Sequence, residues 1–125
     1  MTLASRSFPR SCRLLRADEY GAVFNFRQAL RGERFLLHYG REKTGEEGAA
    51  RLGLVVGKKF IRRAVGRNAV KRIAREAFRQ TRALLPPRDW VLRLTTKLAK
   101  PDRAMRKELA AEISRLFTRA IARKS

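Results

Sequence analysis

The residues able to do acid–base or nucleophilic chemistry are few and poorly spaced: one histidine, His38, one cysteine, Cys12, and 11 Asp plus Glu in 125 residues. A Ser/His/Asp or Cys/His arrangement would have to use His38, and nothing near it in sequence supplies an orienting carboxylate. One Cys and one His cannot close a zinc site. Asp18 and Glu19 fall where a helix is expected to begin, so helix capping accounts for them, and Glu46 and Glu47 fall in a glycine-flanked loop. Gly57 followed by Lys58 and Lys59 lacks the spacing of a phosphate loop. The inventory suits a protein that binds and positions rather than one that cleaves. A lone histidine in a strand is more often structural or a binding contact than a base.

What the chain has in quantity is positive charge. It carries 31 Lys plus Arg, for a formal net charge of +20. Over residues 66–79 and their extension, at ~100° per residue, Asn68, Lys71, Arg72, Arg75, Arg79 and Arg82 share an arc of roughly 100°. Val70, Ile73, Ala77, Thr81 and Leu84 take the opposite side. One side packs and the other repels itself unless phosphates lie against it, which makes nucleic acid the leading partner. A generally basic solvated surface is the bland reading, and an anionic membrane a weaker rival. No apolar run approaches the ~18 residues of a spanning helix. Hydrophobic residues are 44% of the chain, enough for one compact domain.

The elements that must position these residues follow from periodicity. A helix is expected over residues 17–29, with Asp18 as its cap and Gly32 breaking the chain after it. Strands are expected over residues 35–39, 51–59 and 89–96, the second with Leu52, Leu54 and Val56 on one face, the third with Trp90, Leu92 and Leu94. Residues 40–50 form an exposed hairpin loop. The central helix spans residues 64–84 and stops before Pro86 and Pro87. Pro101 and Asp102 open a last helix that buries Met105, Leu109, Ile113, Leu116, Phe117 and Ile121. This is an α+β chain, folded as an α/β sandwich with a mixed sheet of about four strands and three helices. Residues 1–125 form one domain, with a basic arm at 1–16 and a frayed tail at 123–125. A crossover between parallel strands would ordinarily be right-handed. Tyr20, Phe24, Phe26, Phe35 and Tyr39 could line a surface that stacks unpaired bases, although aromatics at such spacing are as often core. Cys12 alone forms no intramolecular disulfide, which suits a reducing compartment.

The stretch RLGLVVGKKFIRRAVGRNAVKRIAREAFR, residues 51–79, resembles the signature of the protein subunit of bacterial ribonuclease P. FPRSCRLLRADEYGAVF, residues 8–24, is similar to that family's arm and first helix, and the likeness runs through DWVLRL at Asp89 to about Ala122. The basic start, with Arg6, Arg10, Arg13 and Arg16, accordingly reads as mature protein rather than an organellar transit peptide. The resemblance implies a cytoplasmic ribonucleoprotein endoribonuclease that removes the 5′ leader of precursor tRNA. Magnesium is expected with a large catalytic RNA that does the hydrolysis, and this chain would be its accessory subunit. It implies that Arg67, Asn68, Lys71, Arg72, Arg75 and Arg79 contact the catalytic RNA, with Lys58, Lys59, Arg62 and Arg63 extending that surface. Tyr20, Phe24 and His38 would line the cleft for the leader, across the sheet from the basic helix.

The partners implied are the catalytic RNA and precursor tRNA, with no membrane, no required protein partner and no cofactor held by the protein's side chains. The family also implies a left-handed crossover in place of the ordinary one. Three positions depart from the family pattern: Ala69 where a second Arg is common, His38 where many relatives have a tyrosine, and Thr95 where a basic residue is common, with Arg93 nearby. Two other readings compete: a ribosomal or RNA-chaperone-type basic RNA-binding protein with no role in cleavage, and a protein-only nuclease with His38 as base.

Overall fold

The computed structural model describes residues 10–44 and 48–123. The start of the basic arm, the glutamates Glu46 and Glu47, and Lys124 and Ser125 of the expected tail lie outside the described residues. A 3-10 turn at Arg10–Cys12 leads to α1 (Ala17–Phe26), β1 (Gln28–Arg31), β2 (Phe35–Tyr39), β3 (Arg51–Val55), α2 (Ala64–Thr81), a second 3-10 turn (Arg82–Leu84), β4 (Asp89–Leu94) and α3 (Arg103–Ala122). The strands make one mixed sheet in the order β1-β2-β4-β3. β2 runs antiparallel to both β1 and β4, while β3 lies parallel to β4 with α2 as the crossover between them. The expected α+β architecture of four strands and three helices is what the described residues form.

Alternation along the strands decides which helices cover which face. Leu37, Leu52, Trp90 and Leu92 point into the main core beneath α2 and α3, where Phe78, Phe117, Leu109 and Ile113 meet them with essentially no exposure. Each such large side chain contributes ~1.5–3 kcal/mol when withdrawn from water. The alternate residues face the other way, where Val91 packs with Val23, Leu14 and the flank of Tyr20 and Phe24. α1 therefore stands on the opposite side of the sheet from α2.

The boundaries differ from expectation for local reasons. α1 stops at Phe26 because Arg27 turns into the left-handed region at φ 60° and the chain returns at once as β1, the strand that periodicity did not reveal. Asp18 is not the cap: Glu19 accepts the Leu15 and Arg16 backbone N–H groups at 2.9 and 3.0 Å, and those bonds, that of Leu15 foremost, hold its carboxyl below the usual range. Gly32 sits in the β1–β2 turn, where a Cβ would lie 2.6 Å from Glu112 Oε2. β3 ends at Val55 and β4 at Leu94, because their ladder ends at the Val55–Arg93 pair and Thr95 bonds the Arg34 carbonyl instead.

α2 ends at Thr81, so Leu84 is 68% exposed, while Ala74 and Phe78 fill the packed side beside Val70 and Ala77. In α3, Glu112 and Ala120 join Leu109, Ile113, Leu116 and Phe117 in burial, and Met105 and Ile121 stay half-buried. Phe35 and Tyr39, considered as stacking surfaces, are instead in the main core, 1% and 5% exposed.

Two polar clusters fasten the frame. Glu112, 3% exposed, accepts the N–H groups of Arg34 and Phe35 at 2.7 and 3.1 Å and the Arg34 guanidinium at 3.0 Å. Asp89 receives Arg51 through a two-pronged contact at 2.9 and 2.8 Å and Lys43 at 2.6 Å. Burial alone would raise the Asp89 carboxyl, but the hydrogen bonds from Arg51 and Lys43 outweigh it and hold it below the usual range.

Candidate nucleic-acid interface

α2 owes its length to a regular 18-residue amphipathic run whose apolar side is fixed by Val70, Ala74, Ala77 and Phe78. The other side then follows from helical geometry. Asn68, Arg72, Arg75, Glu76 and Arg79 line one shallow concavity of about 360 Å³. Asn68 and Arg72 are exposed, and Lys71, Arg75 and Arg79 are half-buried. The face is less uniformly positive than expected, because Glu76 ion-pairs with Arg79 and also accepts from Gln80 at 2.9 Å. Glu76 lies three residues before Arg79, a spacing readable in the sequence and overlooked there.

Two of the expected basic positions have local work. Arg67 donates through Nη1 to the carbonyls of Ile61 and Arg62 at 3.1 and 2.8 Å, bracing the turn that feeds α2. Arg82 leaves the basic arc, since it belongs to the 3-10 turn rather than to α2, and its guanidinium meets the buried Cys12 thiol. Lys58 and Lys59 are exposed in the turn after β3, Lys59 with its ammonium 5.2 Å from the Phe60 ring, and Arg62 and Arg63 are exposed beyond it.

Across the sheet, Tyr20 and Phe24 of α1 descend toward β2, β4 and β3. The Tyr20 hydroxyl accepts the Leu54 N–H at 3.2 Å. Phe24 meets the His38 ring edge-on at 4.9 Å between centroids. Arg93 donates from Nε to His38 Nε2 at 3.1 Å, which requires a neutral imidazole protonated at Nδ1. Burial, and then the adjacent Arg93 charge, lower the His38 pKa from 6.5. A histidine whose polar partner is a cation, with Nε2 already accepting, is poorly placed to take a proton from water. The Arg75 pKa is lowered by burial and then by the Arg13 charge, with Tyr20 opposing. Arginine stays charged regardless.

The described residues contain no group of three or more His, Cys, Asp or Glu suited to a metal ion.

Fold and surface together define a class: a basic α+β fold with a cationic helix on one side of its sheet and Tyr20, Phe24 and His38 together on the other. The family profile for Ribonuclease P matches residues 8–121, and the chain belongs to that family, as the protein component of the ribonucleoprotein that matures the 5′ end of tRNA. It is similar to the ribonuclease P protein component of Azoarcus sp. (strain BH72), with 44% identity over 116 residues, 93% of this chain and 92% of that one. The corresponding component of Burkholderia mallei (strain SAVP1) is 50% identical over 97 residues, covering 78% and 68%. In fold it resembles the RNase P protein of Staphylococcus aureus, with a TM-score of 0.69 at 19% identity over 92% and 93% of the two chains. That of Thermotoga maritima gives 0.65 at 24% identity over 90% and 97%.

Proposed function

We propose that the chain works within ribonuclease P by holding the catalytic RNA on α2 and the single-stranded 5′ leader of precursor tRNA in the cleft beneath α1. The observation that carries this reading is the placement of Asn68, Arg72, Arg75 and Arg79 around one concavity of α2 on one side of the sheet, and of Tyr20, Phe24 and His38 on the other. Asn68, Lys71, Arg72, Arg75 and Arg79 meet phosphates of the catalytic RNA, and Lys58, Lys59, Arg62 and Arg63 continue that track. Arg67 serves this surface by shaping the turn as well as by its charge. Tyr20 and Phe24 offer ring faces to leader bases, and His38 offers its Nδ1–H beside them. Stacking of this kind contributes ~1–3 kcal/mol per base and tolerates any sequence.

Hydrolysis belongs to the RNA and its magnesium, and the protein's contribution is affinity and alignment. The compartment is the cytoplasm. No helix of the described residues is long and apolar enough to cross a membrane.

The deciding assay is 5′ processing of a precursor tRNA at low magnesium by protein alone, catalytic RNA alone, and both. Stimulation confined to the mixture is expected. Cleavage by protein alone would restore the protein-only nuclease with His38 as base. An absence of stimulation would leave a basic RNA-binding protein without a part in cleavage.

A further inference from the structure

Between the start of α2 and the start of α3 lies a cavity of about 300 Å³ that shares Arg62 and Arg63 with the proposed RNA track and otherwise lies beyond it. Ile61, Val65, Leu98 and Pro101 give it an apolar lining, and Val65 is 69% exposed. Its walls are held in place: the Leu98 N–H bonds the Phe60 carbonyl at 2.9 Å, and α2 closes on Pro101 only because residue 66 is glycine. A Cβ on Gly66 would lie 2.7 Å from Ile61 and 3.3 Å from Pro101.

The rim is wholly cationic. Arg62 and Arg63 come from the turn before α2, and Lys100 and Arg106 from the far wall. Among the described residues no acid lines the cavity or pairs with any of these four. The nearby Asp102 is occupied in capping α3, accepting the Met105 N–H at 2.8 Å. The first turn of α2, which forms one wall, has neither a side-chain cap nor an acidic residue. Its backbone N–H groups and dipole add to the attraction for an anion.

We propose that this groove receives one unpaired nucleotide of the catalytic RNA, its base against the apolar lining and its flanking phosphates held by Lys100 and Arg106 on one side and Arg62 and Arg63 on the other. An acid-free cationic rim around an apolar slot complements a nucleotide, which is itself apolar in the middle and anionic at both ends. An apolar peptide would gain nothing from the rim. The inference rests on the RNA-binding reading above and extends the contact surface from α2 onto α3.

The test uses the full chain and the catalytic RNA, with equilibrium binding measured across a salt series and 2′-hydroxyl acylation used to map protected nucleotides. The paired substitution Lys100→Ala with Arg106→Ala is expected to flatten the slope of log affinity against log salt by ~0.7 per single-strand phosphate released. Val65→Asp places an anion in the groove at a helix start, where it favours the helix, so thermal stability should hold or rise. RNA affinity should meanwhile fall about tenfold through repulsion. Both variants should expose one unpaired nucleotide that the unaltered protein protects. An unchanged slope and footprint in both would overturn the inference, leaving the groove to a protein segment or to solvent. Failure of the unaltered protein to bind the catalytic RNA would instead overturn the RNA-binding reading, and the groove assignment with it.

Discussion

The ring of Tyr20 rests directly on Gly53: a Cβ at that position would lie 2.7 Å from both Cε2 and Cζ and 2.9 Å from the hydroxyl. Gly53 therefore sets how closely the Tyr20 ring of α1 settles onto β3. Gly53→Ala is expected to cost ~1–3 kcal/mol through overpacking. The penalty should shrink when Tyr20→Ala is added, because the clash goes with the ring. Urea denaturation of the two single variants and the double variant checks this. Equal penalties in both backgrounds would contradict it.

His38 makes stability depend on pH in a defined window. Its folded pKa lies below 6.5 because burial, and then Arg93, disfavour the imidazolium. Below 6.5 the unfolded chain binds the proton more readily than the folded one, so the contribution is complete above 6.5 and stability falls as pH drops from there through the lowered folded pKa. Asp89 and Glu19 behave separately: their folded pKa values lie below 3.8 and 4.5, so their contribution is lost only at more acid pH. Denaturant midpoints at pH 7.5 and 5.5 should differ in the native chain and differ less in His38→Gln.

Arg72→Ala combined with Arg75→Ala should weaken binding of the catalytic RNA and flatten its salt dependence by ~1 unit of slope for each phosphate no longer neutralised. With ~6 phosphates neutralised the unaltered slope should be about −4 to −5. The fold should persist, since the core beneath is made by Val70, Ala74, Ala77 and Phe78. Circular dichroism alongside a filter-binding salt series distinguishes weaker phosphate binding from unfolding.

Glu112 is the carboxylate on which the β1–β2 turn hangs. Glu112→Ala leaves the Arg34 and Phe35 backbone N–H groups without their acceptor, while the Arg34 guanidinium keeps Glu108 at 2.8 Å, and should cost ~1–3 kcal/mol. Glu112→Gln, which keeps an acceptor oxygen, should cost less. A midpoint shift in urea that is equal for the two variants would show that the charge, not the acceptor, carries the effect.

Much of this was legible in the sequence because it is periodic. The alternation of Trp90, Leu92 and Leu94 against Val91 and Arg93, and the helical arc of Asn68, Arg72, Arg75 and Arg79, both follow from local repeat and both appear in the fold. What could not be read depends on contacts distant in the chain. β1 is four residues long with only Leu30 buried, so its identity as a strand comes from pairing with β2 rather than from its own pattern. Glu112 looks like any solvent-facing acid of a helix until the chain brings Arg34, 78 residues away, to meet it. Arg82 continues the basic arc by arithmetic, but leaves it once α2 tightens into a 3-10 turn. The pairing of Phe24 with His38 could be anticipated only through the family likeness, whereas the Arg93 bond that fixes the imidazole tautomer could not.

The segment before α1 has one further effect. Arg13 pairs with Leu52 along the outer side of β3, and the Leu14 N–H bonds the Leu52 carbonyl at 3.0 Å. A sheet margin left bare invites a strand from another copy. Here the chain's own arm occupies that margin, and the opposite margin, β1, carries exposed Gln28 and Arg31. Edge pairing with another copy is thereby disfavoured at Leu52, whose backbone is already taken, and beside the exposed charge of Arg31.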